Sequence, residues 1–465
     1  ADCPTCRLVE PLLVEIAQAG PLTVYAQDSA EYAADLPSSL YDKTLEHSFH
    51  LGIEFVPTLI RVENGAEVER TYGWHKEDWR QLTGLPELGE ALPVMRPGCG
   101  SKTLEPGIAE ELELAFGDIR LQSREIDMGS AEDPMEACFE RGWSDGLPVV
   151  PPTPVRVLRM LKGTSRQPDD VVGLMPPDLV PVTVEKVAIN AVLAGCKPEY
   201  MPVLLAALEA ALTDEFGLHG LICTTMFGSP MIVVNGPAAR AIGMNSGVNA
   251  LGQGNRANAT IGRALQLLIR NVGGGRPGEI DRATLGNPGK YSFCFAEAED
   301  ADWLPLAQER GVEAGRSAVT LFPGEGVQGI VDQKSRDPES LARSFALSLR
   351  TVDHAKLAMA GDAVLVVSPE HARVFIEAGW SKQRLREELE KLLLAPGAEL
   401  VAGAGGIAEG IPERFKDQQV PKFRPGGLLI VRAGGTAGLF LSLIHISEPT
   451  RRTPISYAVF CLKKK

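Results

Sequence analysis

Hydrophobic and polar positions change period several times along this chain, and those changes set out its elements. From Arg7 to Ala19 (RLVEPLLVEIAQA) apolar residues return every three or four places, which predicts an amphipathic helix carrying Pro11. Leu22 to Ala26 reads as a strand and Leu40 to Leu51 as a helix. Glu54 to Val62 and Glu67 to Tyr72 read as a hairpin around Asn64-Gly65, a pair that accepts the positive φ of a tight turn. Glu77 to Leu82 begins a closing helix, and Ile108–Phe116 is another. Beyond residue 131 strand-like and helical runs alternate. Helices are expected at Pro154–Leu161, Val184–Leu193, Met201–Leu212 and Ala257–Val272, and strands at Met231–Val234, Ala363–Val367 and Leu428–Val431. Such alternation predicts an α/β fold with a largely buried sheet.

Chemistry enters at the first helix. Cys3-Pro4-Thr5-Cys6 stands at its head, where unpaired N–H groups and a partial positive charge lower the pKa of the first thiol. Cys6 lies one turn inward, placed to attack a mixed disulfide formed at Cys3. Two rival readings stand beside it: a zinc site using His47 and His50, with a spacing shorter than the usual finger pattern, and two purely structural thiols.

With Val56-Pro57-Thr58 before the hairpin, the C-x-x-C, the helical proline and the element order, roughly the first 85 residues resemble thioredoxin. The resemblance implies that Pro57 is a cis-proline packed beside Cys3. It implies that the Val56 backbone pairs with an extended substrate segment, and that Cys3 attacks while Cys6 resolves. It also implies a central strand and a buried acid before the C-x-x-C, so the expectation is a thioredoxin fold lacking its first strand, joined to a larger α/β domain. At the other end, Leu441 to Arg451 (LSLIHISEPTR) and Ile455 to Leu462 (ISYAVFCL) resemble the translation of a transposase-based sequencing adaptor. Lys463 to Lys465 then resembles a read-through of A bases. The expected organisation is therefore 1–87 thioredoxin-like, 88–130 linker, 131–440 α/β domain broken at Phe440, and 441–465 outside the functional chain. The phrases GWSDGLPVVPPT and GQGNRANATIGRA resemble uncharacterised bacterial proteins that occur near UGSC-type selenoprotein or cysteine protein families.

Charge and composition narrow the partners. The net charge is −14 over 465 residues and −18 without 441–465, where no basic run remains, which disfavours nucleic acid and anionic membranes. Hydrophobic content of 44 % is that of a globular protein, and no apolar run has the length of a membrane span. Five further cysteines before residue 440 are scattered singly, which favours a reducing, cytoplasmic setting over a disulfide framework.

Two further places carry candidate chemistry. In the expected linker, Cys99 is flanked by Gly98 and Gly100, with Arg96 and Lys102 placed to favour its thiolate. Cys99 is a candidate to exchange electrons with the Cys3/Cys6 pair. In the larger domain a polar, glycine-rich loop precedes the helix at 257–272. Gly252, Gly254, Asn255, Arg256, Asn258, Arg263 and Arg276 are candidate ligands for a small anionic or polar molecule held by backbone N–H groups and arginine. A dinucleotide fits poorly, because the loop does not directly follow its strand and lacks an acidic ribose partner. His371 could act as an acid or base at the end of a strand, although a first-turn histidine is more often at the surface. Neither a cofactor nor a metal site is expected.

The sequence thus predicts a thiol–disulfide oxidoreductase module, with a disulfide-bearing partner protein, fused to a small-molecule enzyme of reductive or thiol-dependent chemistry. The alternatives are a lyase or hydrolase using Asn, Arg and His residues with the first module as a docking or regulatory element, and a non-catalytic redox sensor.

Overall fold

The structure is a computed structural model that describes residues 3–299, 302–359, 361–447 and 459–461. Helices and strands are mixed throughout, in two compact units, Ala1–Leu121 and Gln122–Lys465.

In the first unit, helix α1 (Pro4–Ala19) starts with Cys3 as N-cap and Pro4 in the first turn, where a missing N–H costs nothing. Its buried face is Thr5, Cys6, Val9, Leu13 and Ile16, and Pro11 sits inside the helix on the outer side. Strand β1 (Val24–Ala26) runs parallel to β2 (Ser39–Tyr41). The helix expected from Leu40 is therefore shorter: α2 covers only Glu46–His50. Buried Asp42 explains the change, because its carboxylate accepts from Ser48 Oγ at 2.6 Å, Ser48 N at 2.8 Å and His47 N at 3.3 Å, breaking strand from helix.

Strand β3 (Phe55–Val56) leads into the antiparallel pair β4 (Thr58–Glu63) and β5 (Ala66–Tyr72). Asn64 and Gly65 take φ of 52° and 79° at the turn, as the Asn-Gly signal requires. After β6 (Trp74–His75), α3 (Lys76–Thr83) ends at Gly84 with φ 70°. The expected linker is a correction. Strand β7 (Met95–Arg96) pairs with β6, β8 (Cys99–Gly100) pairs with β3, and α4 (Ile108–Phe116) lies in the same unit. Leu88 is wholly buried in one cluster with Trp74 and Trp79, which ties 88–121 to this core. Among the described residues β1 pairs only with β2 and β4 only with β5. A cavity of about 490 Å³ is walled by Val24–Ala26 and Val56–Ile60.

The second unit opens with α5 (Pro134–Glu140) and α6 (Pro154–Leu161), the latter capped by Thr153. The hairpin β9 (Val171–Met175)–β10 (Val180–Thr183) feeds α7 (Val184–Ala194), followed by α8 (Met201–Ala211) and α9 (Leu218–Cys223). Strand β11 (Ser229–Asn235) is buried at every position, and α10 (Pro237–Ala241) follows it. The long helix α11 (Arg256–Asn271) precedes β12 (Cys294–Ala296), α12 (Leu306–Glu309), β13 (Ala318–Gly324) and β14 (Val327–Val331). Then come α13 (Pro338–Leu349), β15 (Gly361–Val367), α14 (Pro369–Glu377) and α15 (Lys382–Leu392). The short pair β16 (Leu394–Pro396)–β17 (Gln419–Pro421) precedes β18 (Leu428–Arg432), β19 (Phe440–Ser447) and β20 (Val459–Cys461).

Two four-stranded sheets result, ordered β12-β11-β13-β20 and β14-β19-β15-β18. Three of the four inner strands, β11, β13 and β15, are buried at every position, as expected where both faces are covered. The sequence reading set 441–465 outside the functional chain; Leu441–Ser447 takes up a strand in the second sheet. The segment forms β19, antiparallel to β14 and β15, with Leu441, Leu443 and Ile444 buried. Its apolar–polar run satisfies the period of a strand whatever its origin. Residues 448–458 and 462–465 lie outside the described residues.

Close backbone approach fixes one turn of this unit. A Cβ on Gly163 would sit 1.9 Å from the Pro198 carbonyl oxygen. Gly163→Ala is therefore expected to lower stability by about 1–3 kcal/mol, measured by urea unfolding, since backbone rather than a flexible side chain must move. An unchanged midpoint would show that the 198 turn yields freely.

Candidate functional site

The start of α1 gathers three thiols. Cys3 Sγ accepts from the Cys6 N–H at 3.3 Å, which is the capping bond of the helix. As a thiol it donates to the Val56 carbonyl at 3.6 Å, and the Val56–Pro57 bond is cis. The sequence placed Cys99 in a linker; β8 instead sets it opposite Val56, whose carbonyl is 3.6 Å from the Cys3 sulfur, so the two thiols act on each other's ionisation. The segment before it is held as closely. Thr5 Oγ1 donates to the Pro97 carbonyl at 2.7 Å, and a Cβ on Gly98 would lie 2.8 Å from the Val56 oxygen. The Val56 backbone, expected to receive a substrate strand, is thus paired with this chain's own Cys99.

These contacts divide the thiols electrostatically. Burial opposes ionisation of Cys3, but hydrogen bonds from the Cys99 and Cys6 thiols and from the Cys6 and Thr5 backbone outweigh it. Its pKa falls below the ordinary thiol value. Burial, then the hydrogen bond and charge of Cys3, push Cys6 far up. Cys99 also rises, through its hydrogen bond to Cys3, then burial, then Cys3's charge, with Arg96 opposing. The expected lowering at Cys99 thus meets an opposing influence, because Cys3 raises it more than Arg96 lowers it. Lys102 takes no part, because it pairs with Asp28 at 2.6 Å. The rival zinc ligands lie elsewhere, His47 stacked on Tyr25 and His50 against Phe49 and Phe116.

The glycine-rich loop of the second unit uses its polar groups internally. Asn255 caps α11 by accepting from Asn258 N at 3.0 Å, and its own amide donates to Gly243 O at 2.8 Å. Asn258 is buried and bonded to Asn245 N, Asn245 O and Ala250 O. Arg256 donates to Gly195 O at 2.9 Å and Cys196 O at 3.4 Å, closing the end of α7. Gly254 holds φ of 114°, and with Gly252 it shapes the turn into α11. Arg263 makes a two-pronged pair with Asp145, at 2.8 and 2.7 Å. Of the three expected arginines, only Arg276 has a guanidinium without a hydrogen-bond or ion-pair partner among the described residues, and its Nε is buried.

Other thiols are buried or raised. Cys196 donates to Thr260 O and burial pushes it up to about 12, while burial also raises Cys138, Cys223 and Cys294. His371, expected at the surface, is wholly buried, with Nε2 2.8 Å from the Asp332 carbonyl. Sequence spacing missed one cluster. Glu325, Asp353 and His445 bring their ligand atoms within 4.8 Å of one another, the one such group among the described residues. Burial pushes Asp353 up and His445 down, and the Lys422 ammonium acts on both.

No family model, no curated protein and no solved structure matches this chain. Among the described residues no helix is long and apolar enough to cross a membrane.

Proposed function

We propose that the first unit is a thiol–disulfide oxidoreductase of thioredoxin-like design, with Cys3 as the attacking thiolate. The carrying observation is that Cys3 caps α1, where its sulfur accepts the Cys6 N–H at 3.3 Å beside the cis Val56–Pro57 bond. Cys3 attacks a substrate sulfur, forms a mixed disulfide and releases one substrate thiolate. Cys6 then loses its proton, attacks the Cys3 sulfur and releases the second thiolate, leaving a Cys3–Cys6 disulfide. Two electrons pass from the dithiol to the substrate. Two of the causes that raise Cys6 are the hydrogen bond and charge of Cys3. Both weaken when Cys3 is bonded to substrate, so the resolving thiol becomes more acidic when it is needed. Cys99 is a second resolving thiol, because β8 sets it opposite Val56, whose carbonyl lies 3.6 Å from the Cys3 sulfur. Scattered reduced thiols suit a cytoplasmic setting.

The test is the pH dependence of alkylation in the full chain. A lowered pKa keeps Cys3 ionised as pH falls below the range of free cysteine, so its iodoacetamide rate should hold at neutral pH and drop only at more acid pH. Cys6 should stay unmodified in that range. A Cys3 profile superimposed on that of free cysteine would overturn the assignment.

A further inference from the structure

A cavity of about 450 Å³ opens beside α11 in the second unit, remote in sequence from the thiols. Its volume falls in the range of small-molecule pockets. Leu221, Ile222, Ile269 and Pro230 form apolar wall, and the charged residues on it are Asp145, Asp281, Arg270 and Lys290. Three of these charges are already neutralised. Asp145 is held by Arg263 on both carboxylate oxygens, and Asp281 accepts from Lys290 Nζ at 2.6 Å. Arg270 is different. Among the described residues it makes no hydrogen bond or ion pair, and its Nε is buried. On the adjoining loop Arg276 has the same deficit.

A buried guanidinium N–H with no acceptor carries a desolvation cost that a bound anion would remove. The planar fork of arginine matches a carboxylate in two parallel bonds, and the wall offers an apolar surface beside it. We propose that this cavity binds a small monocarboxylate with an apolar body, its carboxylate on Arg270. The site lies at the far end of α11 from the glycine-rich loop that the sequence singled out, and it is independent of the thiol chemistry.

Benzoate, benzamide and phenyl phosphate serve as probes, titrated into the full chain by calorimetry. Benzoate should bind and neutral benzamide, of the same shape, should bind at least ~30-fold more weakly, since it cannot complete the ion pair. Arg270→Gln should weaken benzoate by a similar factor. Leu285→Glu changes an 82 % exposed residue on the rim and leaves the core alone. It should weaken benzoate several-fold by like-charge repulsion, so the site remains testable if Arg270→Gln does not fold. Equal binding of benzoate and benzamide, or benzoate affinity unmoved by Leu285→Glu, overturns the proposal. Phenyl phosphate binding more than tenfold tighter than benzoate overturns the carboxylate class.

Discussion

Replacing Cys3 by serine is expected to lower insulin disulfide reduction by the full chain at least ~10³-fold. A serine hydroxyl in the same cap can accept the Cys6 N–H but does not ionise near neutral pH, so structure survives while the nucleophile is lost. Cys6→Ser should behave differently. The first attack remains, and resolution passes to Cys99, so oxidised protein should carry a Cys3–Cys99 link in its peptide masses. Cys6→Ser with Cys99→Ser should instead accumulate the mixed disulfide. Insulin reduction by Cys3→Ser at the unaltered rate would remove the first unit from redox chemistry. Accumulation of mixed disulfide in Cys6→Ser alone, at the level of the double variant, would remove Cys99 from resolution.

The division between what the sequence discloses and what it hides follows sequence distance. Elements with local signals were legible. Thr153-Pro154 caps α6, the hairpin turns at Asn64-Gly65, and the Cys3 cap starts α1, each because the deciding bonds span a few residues. The failures are non-local or ambiguous. Leu40–Leu51 has enough apolar residues for a helix, but β2 gains a parallel partner in β1 and Asp42 caps the shorter turn. Cys99 looks like a linker thiol until β8 pairs with Val56, 43 residues earlier by their numbers. The glycine- and asparagine-rich loop has the composition of either an anion cradle or a helix cap. Only the hydrogen bonds of Asn255 and Asn258 decide for the cap. Arg270 gives no sequence signal, because an unpaired arginine on an amphipathic helix resembles a paired one.

The largest stability effect is expected at Lys382 of α15. Its ammonium lies 2.7 Å from Glu297 Oε1 and 3.8 Å from Glu309, and the Lys382 and Glu297 side chains are only 2 % and 1 % exposed. Glu297 is further held by Asn235 Nδ2 at 2.8 Å and by the Leu306 N–H at 2.7 Å, so α15, β11 and the segment after β12 meet at one carboxylate. Lys382→Met removes the bonded cation and leaves Glu297 buried on the Asn235 amide and the Leu306 N–H, with only the charge of Arg432 acting on it, which should cost roughly 3–5 kcal/mol. Adding Glu297→Gln to Lys382→Met removes the stranded charge and should recover much of that loss. Urea unfolding followed by hydrogen exchange of β15 peptides isolates the transition of the second unit from that of the first. If the single variant matched the unaltered chain, the attraction between the two groups would do no more than offset their desolvation. A double variant less stable than the single one would show instead that Glu297 acts mainly through its bonds to Asn235 and Leu306, with Lys382 a spectator.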